Sequence, residues 1–324
     1  MAKPMITLLK YGMLALVFGL ALFFSADFYK DLNAGKILEG IQSVSPVVLL
    51  LLFFVNFLLL FIIARRWQVL LTEHLPLTML AMNRLSGFAF SYITPGTQIG
   101  GEALQIGLLV QNNALSSKEA LKHVVTERGV DFVGNIVMVL LLSFFYGAAL
   151  FRHLNIALDT VFFISVGIGC FFITLLSYFY WRKKTSAVTI TREDALRLSH
   201  IAILTFIIWM LFIAELWLIF AAVGVMLDLH DLLTMLLAIR LAFWLPLPVP
   251  AAAGILEAAI LLAAELCAID TNLALSAVLL MRFRDVSLVC VGLIYATITG
   301  IFPPLSDRLQ MLRGKWLVKE GAHD

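Results

Sequence analysis

The sequence predicts an all-α integral membrane protein: six spanning helices plus two broken re-entrant elements, or eight helices if those elements cross fully, arranged as an inverted-topology repeat. Three observations carry this. Of 324 residues, 62% are hydrophobic and 14% charged, where a soluble domain carries roughly a quarter charged residues; mean hydropathy is +0.99. Apolar runs at 46–64, 161–181 and 201–223 each supply about the 20 residues that a spanning helix needs. The polar landmarks of the first half also recur, in the same order, in the second.

The elements follow in turn. Lys3 and Lys10 flank an apolar stretch at 11–24 with no clear small-x-small site before Asp27, so it reads as a retained first helix over about 7–25 rather than a cleaved signal. Lys and Arg near helix ends mark the cytoplasmic side. The cluster Arg182, Lys183, Lys184, Arg192 and Arg197 is the clearest, with Arg65/Arg66 and the basic tail on the same side. The segment 27–45 and the acidic connection at Asp228, His230 and Asp231 fit outside. These assignments impose a parity. Helix one goes out and 46–64 returns. The stretch 78–118 starts and ends in the cytoplasm, 121–150 goes out, 161–181 returns and 201–223 goes out. The stretch 232–266 is a second there-and-back element from outside, and 273–301 returns. Both termini are then cytoplasmic, and the cytoplasmic (inner) membrane is the expected location.

The halves superimpose at a nearly constant shift. Arg84 maps onto Arg240 at 156 residues, Pro95 onto Pro250 at 155, Glu102 onto Glu257 at 155, and Arg128 onto Arg282 at 154. The division expected is 1–155, 156–305 and a cytoplasmic tail 306–324. An odd number of crossings per half points the second half the other way. In secondary transporters such symmetry places the binding site between matched broken segments. Here the breaks are Pro95, Gly96, Gly100 and Gly101 in one half, and Pro248, Pro250 and Gly254 in the other.

Charge inside the apolar stretches locates the candidate site. Arg84, Glu102, Glu127, Arg128, Asp131, Arg240, Glu257, Arg282 and Asp285 are the substrate-binding candidates, and Arg284 belongs to the same set of intramembrane charges. Each costs about 2.5–3.5 kcal/mol at the bilayer centre, so even half of them left uncompensated would cost on the order of 10 kcal/mol. They must therefore face one another, water or a charged ligand. His123, Glu127, Asp131 and Asn135 recur every four residues and form one polar stripe on a helix. Arg128 and Asp131, and Arg282 and Asp285, are i,i+3 neighbours able to pair. Glu102 and Glu257 follow the breaks, where freed amides and a helix N-terminus favour an anion. A single hydrogen-bonded acid suffices to explain Glu215.

These residues carry a resemblance. Asn83 to Pro95 with Gly-Gly-Glu at 100–102, Thr126-Glu127-Arg128-x-x-Asp131, the run from Pro248 to Glu257, and Arg282 together resemble the lysylphosphatidylglycerol synthase transmembrane-region family of flippase-like proteins, over about residues 10–305. The resemblance implies a transporter moving lipids between leaflets, either aminoacylated phosphatidylglycerol or polyprenyl-linked and related amphiphiles. Two departures bear on the substrate: Gln105 and Leu256 stand where the family often has arginine, and Ala251 and Ala252 where it often has glycine.

The expected activity is passage of an anionic phospholipid or polyprenyl-phosphate-type lipid along a charged groove. No G-x-x-x-x-G-K-[ST] loop occurs, so ATP is not the direct energy source; Glu102 and Glu257 are candidates for proton coupling. A membrane-embedded lipid-modifying enzyme is the rival reading, without a paired-Asp metal motif, Ser–His arrangement or HExxH to support it. A third is a non-catalytic partner of a lipid synthase or glycosyltransferase. Membrane lipids are the expected partners, and a net charge of +2 suggests no nucleic acid. The three cysteines and six histidines lack metal spacing, so neither metal nor other cofactor is expected, and oligomeric state is not legible. Cysteines introduced at Asn113 and Asp270, in a background without native cysteines, should react with impermeant reagents from opposite faces. Labelling from the same face would refute the inversion.

Overall fold

The computed structural model describes residues 33–71, 75–94, 100–111, 115–153, 192–243 and 252–299. The helices expected at 7–25 and 161–181, the tail at 306–324, and Pro95, Gly96, Pro248 and Pro250 lie outside them. The described residues are all-helical, an all-α membrane protein as the composition requires. In chain order the helices are α1 (Ala34–Gln42), α2 (Pro46–Leu70), α3 (Leu77–Ile93), α4 (Gly101–Gln111), α5 (Ser117–His153), α6 (Arg192–Ala222), α7 (Leu229–Ala242), α8 (Ile255–Leu266) and α9 (Thr271–Ile298).

Local chemistry sets the helix starts. Ser45 caps α2, its hydroxyl accepting from the Val47 amide at 3.3 Å, with Pro46 at the first helical position, where its missing N–H costs nothing. Ser116 and Glu119 form a reciprocal capping box for α5: the Glu119 carboxylate accepts from the Ser116 amide at 3.0 Å, and the Ser116 hydroxyl from the Glu119 amide at 3.3 Å. Asp228 and Asp270 cap α7 and α9, accepting from Asp231 N at 2.8 Å and Asn272 N at 2.7 Å.

Length separates two kinds of helix. Pro46–Leu70, Ser117–Tyr146 and Glu193–Ala222 are long and apolar enough to cross a membrane. With 28 residues α9 is long enough too, but Arg282, Arg284 and Asp285 interrupt its middle. The broken elements are shorter: 17 and 11 residues for α3 and α4, 14 and 12 for α7 and α8, against about 20 for a full crossing.

Packing gathers the helix ends into two groups. At one end, Trp67, Leu71, Leu80, Leu109, Leu115 and Val124 form a core joining the C-termini of α2 and α4 to the N-termini of α3 and α5. Arg197 on α6 joins this end by donating to the Val69, Leu70 and Leu71 carbonyls at 2.7–3.2 Å, groups that a helix C-terminus leaves without partners. Gln111 adds the end of α9, donating to Thr299 O at 2.8 Å. The opposite end collects α1, the start of α2, the connection between α6 and α7, and the junction of α8 with α9; Phe220, Val223, Leu227, Leu232 and Ala264 lie in its core. The α3–α4 pair thus enters from one end and the α7–α8 pair from the other.

α1 lies within 27–45, the connection expected outside. Asn33 caps it, accepting from Gly35 N at 2.9 Å and Lys36 N at 3.3 Å. It docks on α9: the Asn33 amide donates to Asn272 Oδ1 at 2.8 Å, and the Ser276 hydroxyl to Ile37 O at 3.2 Å. This part of the connection is a short helix whose cap and partners on α9 satisfy its polar groups.

The broken pairs pack through backbone. A Cβ at Gly101 would collide with the Gly87 carbonyl, and one at Gly292 would come within 2.6 Å of Leu85 O, so α3 is clasped closely by both α4 and α9. Gly101→Ala should lower unfolding stability in detergent by about 1–3 kcal/mol, the usual range for overpacking. Gly129→Ala, where a Cβ meets nothing within 4 Å, should not destabilise. Thermal unfolding of both variants checks the pair.

A charged cavity between the two broken helix pairs

The helices enclose a cavity of about 860 Å³. Six arginines line it: Arg66, Arg84, Arg128, Arg240, Arg282 and Arg284, from α2, α3, α5, α7 and α9. The sequence-predicted candidates meet here, either at the wall or directly behind it.

Glu127 and Asp131, one turn apart on α5, anchor the most buried part. The Arg84 guanidinium donates from Nη1 to Glu127 Oε2 at 2.8 Å and from Nη2 to Asp131 Oδ2 at 2.7 Å. Arg66 Nη2 reaches the other oxygens of the same carboxylates, donating to Glu127 Oε1 at 3.2 Å and to Asp131 Oδ1; Nη1 donates to the Thr205 hydroxyl at 3.3 Å. Arg66 and Glu127 are each 1% exposed. The arrangement is a closed square of two cations and two anions tying α2, α3 and α5. Removing one corner of such a square leaves an uncompensated buried charge, at a cost of about 3–5 kcal/mol.

Arg66 is not among the sequence candidates, because a basic pair at a helix end reads as a cytoplasmic marker. Only Arg65 has that character: Arg66 points inward. Arg66 and Asn56 both line the cavity from α2.

The breaks supply two matching contacts. At the start of α4, Glu102 Oε2 accepts from the Gly100 amide at 2.8 Å, while Oε1 lies 3.0 Å from Arg128 Nε. At the start of α8, Glu257 Oε2 accepts from the Gly254 amide at 2.8 Å, while Oε1 takes Arg282 Nε at 2.6 Å. Gly100 has φ +154° and Gly254 φ +82°, the region that favours glycine, so each break presents its amide to the carboxylate. This corrects the expected i,i+3 pairing of Arg128 with Asp131. Arg128 turns to Glu102 across the helices, because Asp131 is already taken by Arg66 and Arg84. Arg282 keeps a longer contact with Asp285 at 3.8 Å and donates to the Tyr92 hydroxyl at 3.1 Å.

Arg284 pairs with Glu215 on α6 and donates from Nη2 to Asp285 at 2.7 Å. Glu215 is therefore an ion-pair partner, more than the lone hydrogen-bonded acid that sufficed to explain it. Arg240 differs from the others. It donates to Asn135 Oδ1 at 3.3 Å, and its guanidinium lies 4.2 Å from the centroid of the Phe212 ring. The α5 stripe is borne out: His123 and Glu127 are buried, and Asp131 and Asn135 line the cavity.

The two departures from the family pattern are also visible. Gln105 is 1% exposed; its side chain lies where a Cβ on Gly87 would be, and its carbonyl accepts from Asn83 Nδ2 at 3.2 Å. Leu256 is a buried apolar residue of the wall. Neither adds a cation.

The rim of the cavity is apolar and faces outward. Phe57, Val125, Phe132 and Val291 all line it and are at least 46% exposed on the bundle surface. The arrangement is a charged bed opening sideways past hydrocarbon-compatible side chains.

No curated protein matches the chain. The family model for the lysylphosphatidylglycerol synthase TM region matches residues 12–292, which includes every charged residue of the cavity. The chain belongs to this family, and it is an integral membrane protein related to lipid handling.

Proposed function

We propose that the protein moves a phosphate-bearing membrane lipid between leaflets, with the headgroup in the charged cavity and the acyl chains in the bilayer. The observation that carries this is the cavity's two-sided chemistry: ionised side chains inside, and exposed Phe57 and Phe132 on its rim. Spontaneous flip-flop is slow because a headgroup must shed water to cross hydrocarbon. Preorganised ion pairs replace that water, exchanging partners with the headgroup as it passes. A carrier needs groups that bind and release.

The two broken pairs act in this reading as inverted repeats, rocking about the cavity so that it opens to each leaflet in turn. Glu102–Arg128 and Glu257–Arg282 are the latches that open alternately. Transport runs downhill or coupled to an ion gradient, in the cytoplasmic membrane with both termini inside, and a lipid synthase or glycosyltransferase is the natural source of cargo.

Proteoliposomes reconstituted with fluorescent anionic lipids test the reading. Wild-type protein should accelerate translocation well above empty vesicles. Arg128→Ala and Glu257→Gln, each breaking one latch, should slow it at least about tenfold, since each removes an ion pair worth about 1.5–3 kcal/mol. Translocation by wild type no faster than by empty vesicles, across several anionic lipids, would refute the transporter.

A further inference from the structure

The cavity's six arginines are matched in number by six carboxylates, but unevenly. Arg66 and Arg84 share Glu127 and Asp131, Arg128 has Glu102, and Arg282 has Glu257. Arg284 has two, Glu215 and Asp285. Asp285 is the surplus acid, since Arg284 keeps Glu215 and Arg282 keeps Glu257 without it. Arg240 has no carboxylate within ion-pair distance among the described residues. It rests on Asn135 Oδ1 at 3.3 Å and on the Phe212 ring, its Nε buried without a hydrogen-bond partner. Asp131 attracts it from farther away, but both oxygens of that carboxylate already take an arginine.

The two halves show which carboxylate belongs to Arg240. Arg84 and Asp131 recur as Arg240 and Asp285, at shifts of 156 and 154 residues. α3 packs along α9 and α7 along α5, so each broken pair leans on the long helix of the other half. Arg84 nevertheless reaches Asp131 on α5, in its own half, at 2.7 Å. Arg240 does not reach Asp285 on α9, although both line the cavity. We infer that Arg240 and Asp285 form a gate, open in this conformation, whose closure narrows the cavity between α7 and α9. The inference rests on the carrier reading and supplies its second conformation. Closure moves Arg240 from Asn135 to Asp285, while Arg284 keeps Glu215. Every cavity arginine then has its own carboxylate, which removes the cost of an arginine without a counter-charge in the bilayer interior. The two gates differ in strength. At nearly the same shift Glu127 falls on Met281 and Arg66 on Ala221, so the square that holds the first gate shut has no copy in the second. The gate between α7 and α9 is the one that moves.

Cross-linking tests the gate independently of transport. Phe243 and Leu288 line the cavity, each three residues beyond a gate residue on helices that start at the same end of the bundle. Cysteines at these two positions, in a background without native cysteines, should form a disulfide when the protein is oxidised in lipid nanodiscs. Arg240→Gln and Asp285→Asn should each slow that cross-link about tenfold, the weight of one charged hydrogen bond, and Asp285→Glu should keep the rate. Asn135→Asp gives Arg240 a carboxylate in its open position. It should slow the cross-link to a similar extent while raising the unfolding temperature, which separates a gate held open from a misfolded protein. No cross-link with the gate residues intact would overturn the inference. So would an unchanged rate in both Asp285→Asn and Asn135→Asp. Gate-dependent cross-linking in a protein that moves no lipid in vesicles would refute the carrier and leave the gate standing. Lipid movement without gate-dependent cross-linking would do the reverse.

Discussion

The rest of the molecule depends on how it keeps arginine and carboxylate ionised in an apolar bundle. In low dielectric each charge is tolerable only beside its opposite. The square of Arg66, Arg84, Glu127 and Asp131 meets that condition by drawing α2, α3 and α5 to one point. Glu102–Arg128 and Glu257–Arg282 repeat it at the tips of the two broken pairs. The helices on which these groups sit have apolar outer faces and little reason of their own to prefer one neighbour, since lipid tails are as apolar as leucine. Charge specifies who packs with whom.

The same constraint shapes motion and function. Because almost every pair joins different helices, no helix can shift far without its charges finding new partners. In the proposed transport a headgroup phosphate is such a partner, whose entry would lower the cost of opening a latch and whose departure would restore it. The Glu102 and Glu257 latches are suited to this role because each carboxylate is also held by a backbone amide at a glycine break. It therefore stays in place when its arginine leaves. The central square has no such freedom, and Arg66 and Glu127 are almost wholly out of contact with solvent.

Much of this was legible in the sequence, for identifiable reasons. Hydropathy and length fixed the long helices, and the helix breaks at glycine and proline located the α3–α4 and α7–α8 pairs. The four-residue stripe on α5 is a within-helix pattern, so its shared face could be read directly. Pairings between helices could not. Arg128 and Asp131 look like partners along one helix, and only the presence of Arg66 and Arg84 across the bundle redirects them. Arg66 was hidden by its neighbour, since two adjacent basic residues at a helix end carry the same topological signal whichever way each points. Glu215 and Arg284 lie 69 residues apart, with nothing in either neighbourhood to connect them. α1 is held by Asn272 and Ser276 on α9, far away in the chain, where no local pattern points.

The central claim is that a lipid headgroup enters the bundle and places its phosphate among the cavity's arginines. Dipolar recoupling between lipid phosphorus and guanidinium carbon, in arginine-labelled protein reconstituted in phosphatidylglycerol bilayers, tests it directly. The account predicts a phosphorus within about 5 Å of a guanidinium carbon, the spacing set by N–H···O contacts, and weakening of that signal in Arg240→Gln, which removes one cavity-lining guanidinium. A spectrum identical in wild type and variant would mean that phosphate meets arginine only at the membrane surface, and the account would be wrong.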